Sequence, residues 1–199
     1  MDATAALQLA DWRRQVGDLY AEVRALGAGR RAWDVWREGK ERLYREHAQS
    51  PVAAGRRAQH RFACFDYSEA MRAHAELMPV AGRHIAGDDE VPGMTHIGTL
   101  RFTLGGPDHE LGAYWLDGYA GGLFVPFADA TSGQATYGGG RYALDTAKGA
   151  DLGTDGDRIV LDFNFAYAPS CAHDARWRCP LAPPANRLRI PVRAGELGP

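Results

Sequence analysis

Asp129, Tyr137, Arg141 and Asp162 are the side chains whose types and spacing point most directly to chemistry. They lie in a dense run of unusual residues in the C-terminal half. The run covers residues 124–142, resumes at 161–167, and continues through Pro169, Cys171, Cys179, Pro183, Pro184 and Asn186. Turns need glycine, proline and asparagine. They do not need aspartate, arginine, tyrosine and cysteine packed among aromatics over such a length, so the concentration reads as a built polar site.

Each part of the run carries alternatives. Asp162 and Asn164 are two apart, so on a strand both project from the face opposite Leu161, Phe163 and Phe165. That face either lines a cleft or meets solvent. Between Tyr137 and Tyr142, three glycines allow close backbone approach. Arg141 beside them has the geometry to clamp a carboxylate or phosphate, or to pair structurally with Asp129 or Asp162. The order Asp129, Thr131, Gly133 suits a tight turn with side-chain to backbone bonds. A carboxylate leaving an apolar strand also serves as a general base or a metal ligand. Cys171 and Cys179 flank His173, a spacing open to reduced structural thiols, a redox pair or a nucleophile. A zinc site there lacks a fourth ligand and normal spacing, so no metal is expected. Cys64 reads as a small core hydrophobe.

The elements that must position these residues fall into two parts. Trp12, Val16, Leu19, Tyr20, Val23 and Leu26 recur at helical spacing over about 5–26, with Gly27 and Gly29 as the stop. A second helix is expected over 30–47, its stripe formed by Trp33, Trp36, Lys40, Leu43 and Tyr44. The residue before Pro51 is pushed out of the α region, which ends it. From about residue 60 the period becomes two. Strands are expected at 71–78, 99–104, 110–116 and 158–167, with a last edge strand at 188–193. Short glycine-rich turns separate them. The expected fold is α+β: a helical hairpin over 1–50 packed on a β-rich domain over 51–199, mainly an antiparallel barrel or sandwich.

Composition bounds the function. The chain has 199 residues, 45% hydrophobic, with a net charge of −2. That is enough for one sizeable core and gives no whole-protein footprint for nucleic acid. The first 61 residues hold 12 basic against 8 acidic side chains, a solvated basic face. Arginine outnumbers lysine 21 to 2, which we read as codon usage in a GC-rich genome. No apolar stretch reaches membrane length, and the start lacks a signal-peptide pattern, so a cytoplasmic protein with reduced thiols is expected. The phosphate-binding loop and the dinucleotide glycine fingerprint are both missing.

Taken together, the segments Gln49-Ser50-Pro51, 124–142, Asp162-Phe163-Asn164, Ala166-Tyr167, Pro169, Cys171-Ala172, Cys179-Pro180, Pro183-Pro184, Asn186 and Ala194-Gly195-Glu196 resemble an uncharacterised bacterial family, domain of unknown function 1684. The resemblance implies no activity. It points to Asp129, Thr131, Tyr137, Gly138, Gly140, Arg141, Tyr142, Asp162, Asn164, Tyr167, Cys171, Cys179 and Asn186. Some relatives look like exported lipoproteins, in which a Cys171–Cys179 bridge would be reasonable. This chain departs from the pattern with Ala168 where Asn is usual, His173 for Tyr, Asp174 for Asn and Ala185 for Glu.

The functional expectation is a small-molecule enzyme or ligand-binding barrel with hydrolase- or isomerase-like chemistry. Asp129, Asp162 and Tyr137 are the catalytic candidates. Thr131, Arg141, Tyr142, Asn164, Tyr167 and Asn186 are the binding candidates, and no residue demands a metal or a flavin. One alternative is a non-catalytic module whose Trp12, Trp33 and Trp36 dock a partner or a second copy, as in a homodimer. A Cys171/Cys179 redox protein is the other.

Overall fold

A computed structural model describes residues 2–27, 29–119 and 121–199. Helix α1 (Ala3–Leu26) starts where the Asp2 carboxylate accepts the Ala5 N–H at 2.8 Å, satisfying one of the free first-turn donors. It ends at Gly27 with φ +74°. Helix α2 (Arg30–Glu46) runs back beside it. The helices approach closely at Gly39, where a Cβ would stand 2.5 Å from a methyl of Leu19. A short turn of helix, α3 (Ala54–Arg57), follows.

Seven strands then form one antiparallel sheet in the order β5-β4-β3-β2-β1-β7-β6. They are β1 (Arg72–Ile85), β2 (Met94–Thr103), β3 (Asp108–Leu116), β4 (Gly122–Phe127), β5 (Arg141–Asp145), β6 (Thr154–Asp155) and β7 (Arg158–Asp162). The sheet curls into a half-barrel. Its free β5 edge is met by the chain after β7: Tyr142 donates to the Tyr167 carbonyl at 2.8 Å, and Tyr167 donates back at 3.1 Å. This covers part of an edge that would otherwise be left unpaired.

Alternation along the strands divides the core. Leu100, Phe102, Leu111, Val125, Phe127 and Leu161 fill the inside of the curl. Tyr114, Leu116, Phe124 and Tyr142 instead pack with Val16, Tyr20, Trp36 and Tyr44 of the helices. Trp33 and Trp36 are 3% and 0% exposed, and Trp36 Nε1 donates to the Tyr20 hydroxyl at 3.0 Å. Trp36 packs edge-on against Phe62 and Phe165 and so ties the hairpin to the β-rich part.

Two expected strands end differently. The run from 158 leaves extended geometry at Asp162, whose Oδ1 accepts the Asn164 N–H at 3.0 Å and caps a 3-10 turn, Phe163–Phe165. Aromatic burial persists through the turn, which is why the alternation looked continuous. Residues 188–193 form no strand. Leu188 and Ile190 are held by backbone bonds to Ala128 and Ala130, and Val192 by the side chains of Asp129 and Arg141.

Candidate functional site

Most of the polar residues singled out by sequence are bonded to the protein's own backbone. Asp129 and Arg141 are 1% exposed each, with 3.4 Å between Oδ1 and Nη2. Asp129 also accepts from Val192 N at 2.7 Å and from the Thr131 N–H and hydroxyl. Arg141 donates to the carbonyls of Val192, Ala194 and Glu196. Together they clasp the C-terminal segment. Glycine is required at 195, where φ is +73° and a Cβ would lie 2.4 Å from the Ala166 carbonyl oxygen.

Asn164 and Asn186 act as inserted pieces of backbone. Asn164 exchanges two bonds with Ser68, accepting from its N–H at 2.9 Å and donating to its carbonyl at 2.8 Å. Asn186 accepts from Gly112 N at 2.8 Å and donates to the Gly112 and Pro126 carbonyls at 2.9 and 2.7 Å. It thus bridges β3 and β4 beyond the point where their own ladder ends.

Asp162 lines a cavity of about 170 Å³ with Arg24, Arg72 and Asp155, well apart from Asp129 in the bonding pattern. Burial pushes its carboxyl up, opposed by the Asn164 bonds and by Arg72. The Tyr137 hydroxyl stands 3.8 Å from Cys171 Sγ. Cys171 and Cys179 are free and half-buried. Burial and the neighbouring Cys179 thiol both push the Cys171 thiol up, which disfavours the reactive thiolate.

Tyr142 and Tyr167 lead to a different place. A cleft of about 320 Å³ opens between α1, strands β3 to β5 and the segment 170–180. Its apolar wall includes Leu9, Trp12, Leu116 and Phe124. Its polar groups include Arg13, Tyr142, Asp145, Lys148, Arg178 and Cys179. Trp12, Lys148 and Ser170 also line a smaller chamber of about 20 Å³, which reaches Lys40, Tyr44 and Tyr167. That volume holds one water-sized group.

Asp145 ends β5 at 2% exposure. Its Oδ2 accepts from the Tyr167 hydroxyl at 2.9 Å and pairs with Lys148 Nζ at 3.2 Å. Its Oδ1 is buried with no partner among the described residues, a costly state for a carboxylate oxygen unless something completes it. Lys40 is 5% exposed, its Nζ 4.2 Å from the ring centre of Tyr167, 4.5 Å from Tyr44 and 5.6 Å from Phe62. Two carboxylates act on it through space. Glu196 lies 2.9 Å from His173 Nε2, off the line of a hydrogen bond, and Asp145 is taken by Lys148. Burial pulls the Lys40 ammonium down to about 8, with Lys148 adding to the effect.

Sequence reasoning passed over Asp145, Lys148 and Lys40 as site residues. One signal was present, a lysine in the apolar stripe of α2. The described residues contain no cluster of three metal-ligating side chains and no helix long and apolar enough to cross a membrane.

The model of the family described as "Protein of unknown function (DUF1684)" matches residues 58–197. The chain is also similar to the solution NMR structure of an uncharacterized protein of Haloarcula marismortui. Identity is 36%, with 81% of this chain and 89% of that chain covered, at a TM-score of 0.59. No protein with a curated description matches. On the family match and this relative together, the chain belongs to the DUF1684 family.

Proposed function

We propose that this protein binds and transforms a small anionic molecule in the cleft between α1 and the half-barrel. The observation that carries the reading is Asp145: a sealed carboxylate with one oxygen unpartnered, at the wall of a cleft large enough for a ligand. With Lys148 paired to Asp145 and Arg178 to Glu90, Arg13 leaves the cleft a positive surplus, suited to a carboxylate or phosphate. The apolar wall would exclude water from the rest of the ligand. Asp145, bonded to Tyr167 and Lys148, is the group that would move a proton, in hydrolase- or isomerase-like chemistry. Under this reading Asp129, Arg141, Asn164 and Asn186 serve as the scaffold that holds the cleft's walls, because their bonds go largely to backbone, and Thr131 steadies Asp129 through its hydroxyl.

A panel of short mono- and dicarboxylates and inorganic phosphate, screened by thermal shift, tests the reading. At least one should raise the melting temperature of the native protein but not of Lys148→Met or Asp145→Asn. A panel with no effect on the native protein, or an equal effect on all three, would refute it.

A further inference from the structure

The chain carries only two lysines among its 23 basic residues, Lys40 and Lys148, and both line the same chamber of about 20 Å³. Everywhere else this protein uses arginine. Codon usage explains why lysine is rare, but it does not explain why the two that remain converge from α2 and from the turn after β5. Charge alone would not require lysine, since arginine supplies a permanent positive charge and more hydrogen bonds. A property that arginine lacks distinguishes the pair: an amine can lose its proton and become a nucleophile.

Resting on the cleft reading above, we infer that Lys40 is a reactive amine that captures the carbonyl carbon of a small oxo acid as an imine. The geometry favours Lys40 for this role over Lys148. Lys40 is held by ring faces, and its ammonium donates no hydrogen bond to a carboxylate among the described residues, so no ion pair must be broken to free the amine. Lys148 is paired with Asp145 and lines both the chamber and the cleft. A carbonyl group entering the chamber reaches Lys40, while its carboxylate remains in the cleft near Arg13 and Arg178.

The step balances with groups on the page. The unprotonated Lys40 Nζ adds to the carbonyl carbon, and the C=O π pair moves to oxygen. A proton passes from nitrogen to that oxygen, giving a carbinolamine. The nitrogen lone pair then expels the oxygen as water, which carries away one further proton from the Lys148 ammonium. The product is a protonated C=N bond, with no oxidant or reductant consumed.

The amine's lowered proton affinity makes the reaction fast near pH 8. About half of Lys40 is then unprotonated, against well under 1% of an ordinary lysine, and after allowing for a weaker nucleophile the preference is about tenfold. The test treats the full chain with pyruvate and sodium cyanoborohydride at pH 8, where hydride converts an imine to a stable secondary amine. The products are mapped by peptide mass spectrometry. Spectra of isotope-labelled Lys40→Arg protein with pyruvate alone are recorded in parallel.

An adduct on Lys40, formed about tenfold faster than any on Lys148 and lost in Lys40→Arg, is the expected result. An adduct confined to Lys148 or the α-amine would overturn the inference. No adduct, with pyruvate still shifting resonances of the cleft, would overturn the imine and leave the cleft reading standing. Neither adduct nor shifts would overturn this inference and leave the thermal-shift panel to decide the cleft reading.

Discussion

Replacing Lys40 by methionine should make the protein more stable at neutral pH. A buried lysine usually has a hydrogen-bonded partner; among the described residues this one meets ring faces instead. Lowering its affinity for a proton from 10.5 to about 8 corresponds to about 3 kcal/mol against the charged amine in the folded state. A proton affinity of about 8 is the balance of all that the ammonium meets, ring faces included, so the gain in Lys40→Met is up to about 3 kcal/mol. Methionine fills a similar unbranched volume without a charge. The sign with pH follows from linkage. Below pH 8 both states of the native sequence carry the proton and the penalty is fully present. Between pH 8 and 10.5 the unfolded state holds the proton and the folded state does not, so native stability rises with pH. Glu196, Cys64, Asp145 and Lys148 are the charged or titratable groups that act on Lys40 in this range. Urea unfolding at pH 6.5, 8 and 10, followed by fluorescence and far-UV circular dichroism, measures the difference. The advantage of Lys40→Met should be present at pH 6.5 and gone by pH 10. A variant less stable than the native protein by more than 1 kcal/mol at pH 6.5 would show that Lys40 is a structural cation and refute the reasoning.

Three further outcomes follow from the geometry. Asn186→Ala removes bonds to Gly112 and Pro126 at the β3/β4 gap and should cost about 3 kcal/mol in urea unfolding; a cost under 1 kcal/mol would mean that β3 and β4 hold together without it. Arg141→Met leaves the sealed Asp129 carboxylate without its cation and should destabilise by about 3–5 kcal/mol, with hydrogen exchange accelerated first at Val192 and Glu196. Unchanged exchange there would refute the clasp. Cys171 should react with iodoacetamide at pH 7 at least tenfold more slowly than in urea, because burial and Cys179 hold its thiol protonated; equal rates would point to an activated thiol.

Local periodicity made the helices legible. Val16, Leu19, Tyr20 and Val23 lie on one face of α1, and the break at Gly27 sits where the sequence marks it. The hairpin turns between β2 and β3 and between β3 and β4 were equally plain, since glycine clusters mark them. The run from Arg158 was read too long because Phe163 and Phe165 remain buried after the backbone leaves the strand. Spacing cannot tell a polar side chain bonded to distant backbone from one facing a ligand. Asn186 meets Gly112 from 74 residues away, and Asp129 meets Val192 from 63. Nothing within a strand-length window encodes those partners. Lys40 was visible as a charge in an apolar stripe, yet its depth depends on Tyr167 and Phe62, which lie far along the chain. Asp145 and Lys148 sit in an ordinary strand end and turn, and only the fold brings them to Tyr167.

The two lysines offer a direct readout of the central claim. Protein labelled with carbon-13 at the lysine ε position gives two resonances, one for each side chain. One resonance, lost in Lys40→Arg, should titrate with a midpoint near 8, and both should shift when pyruvate is added. A Lys40 resonance titrating near 10.5, together with no response to pyruvate at either lysine, would contradict the claim.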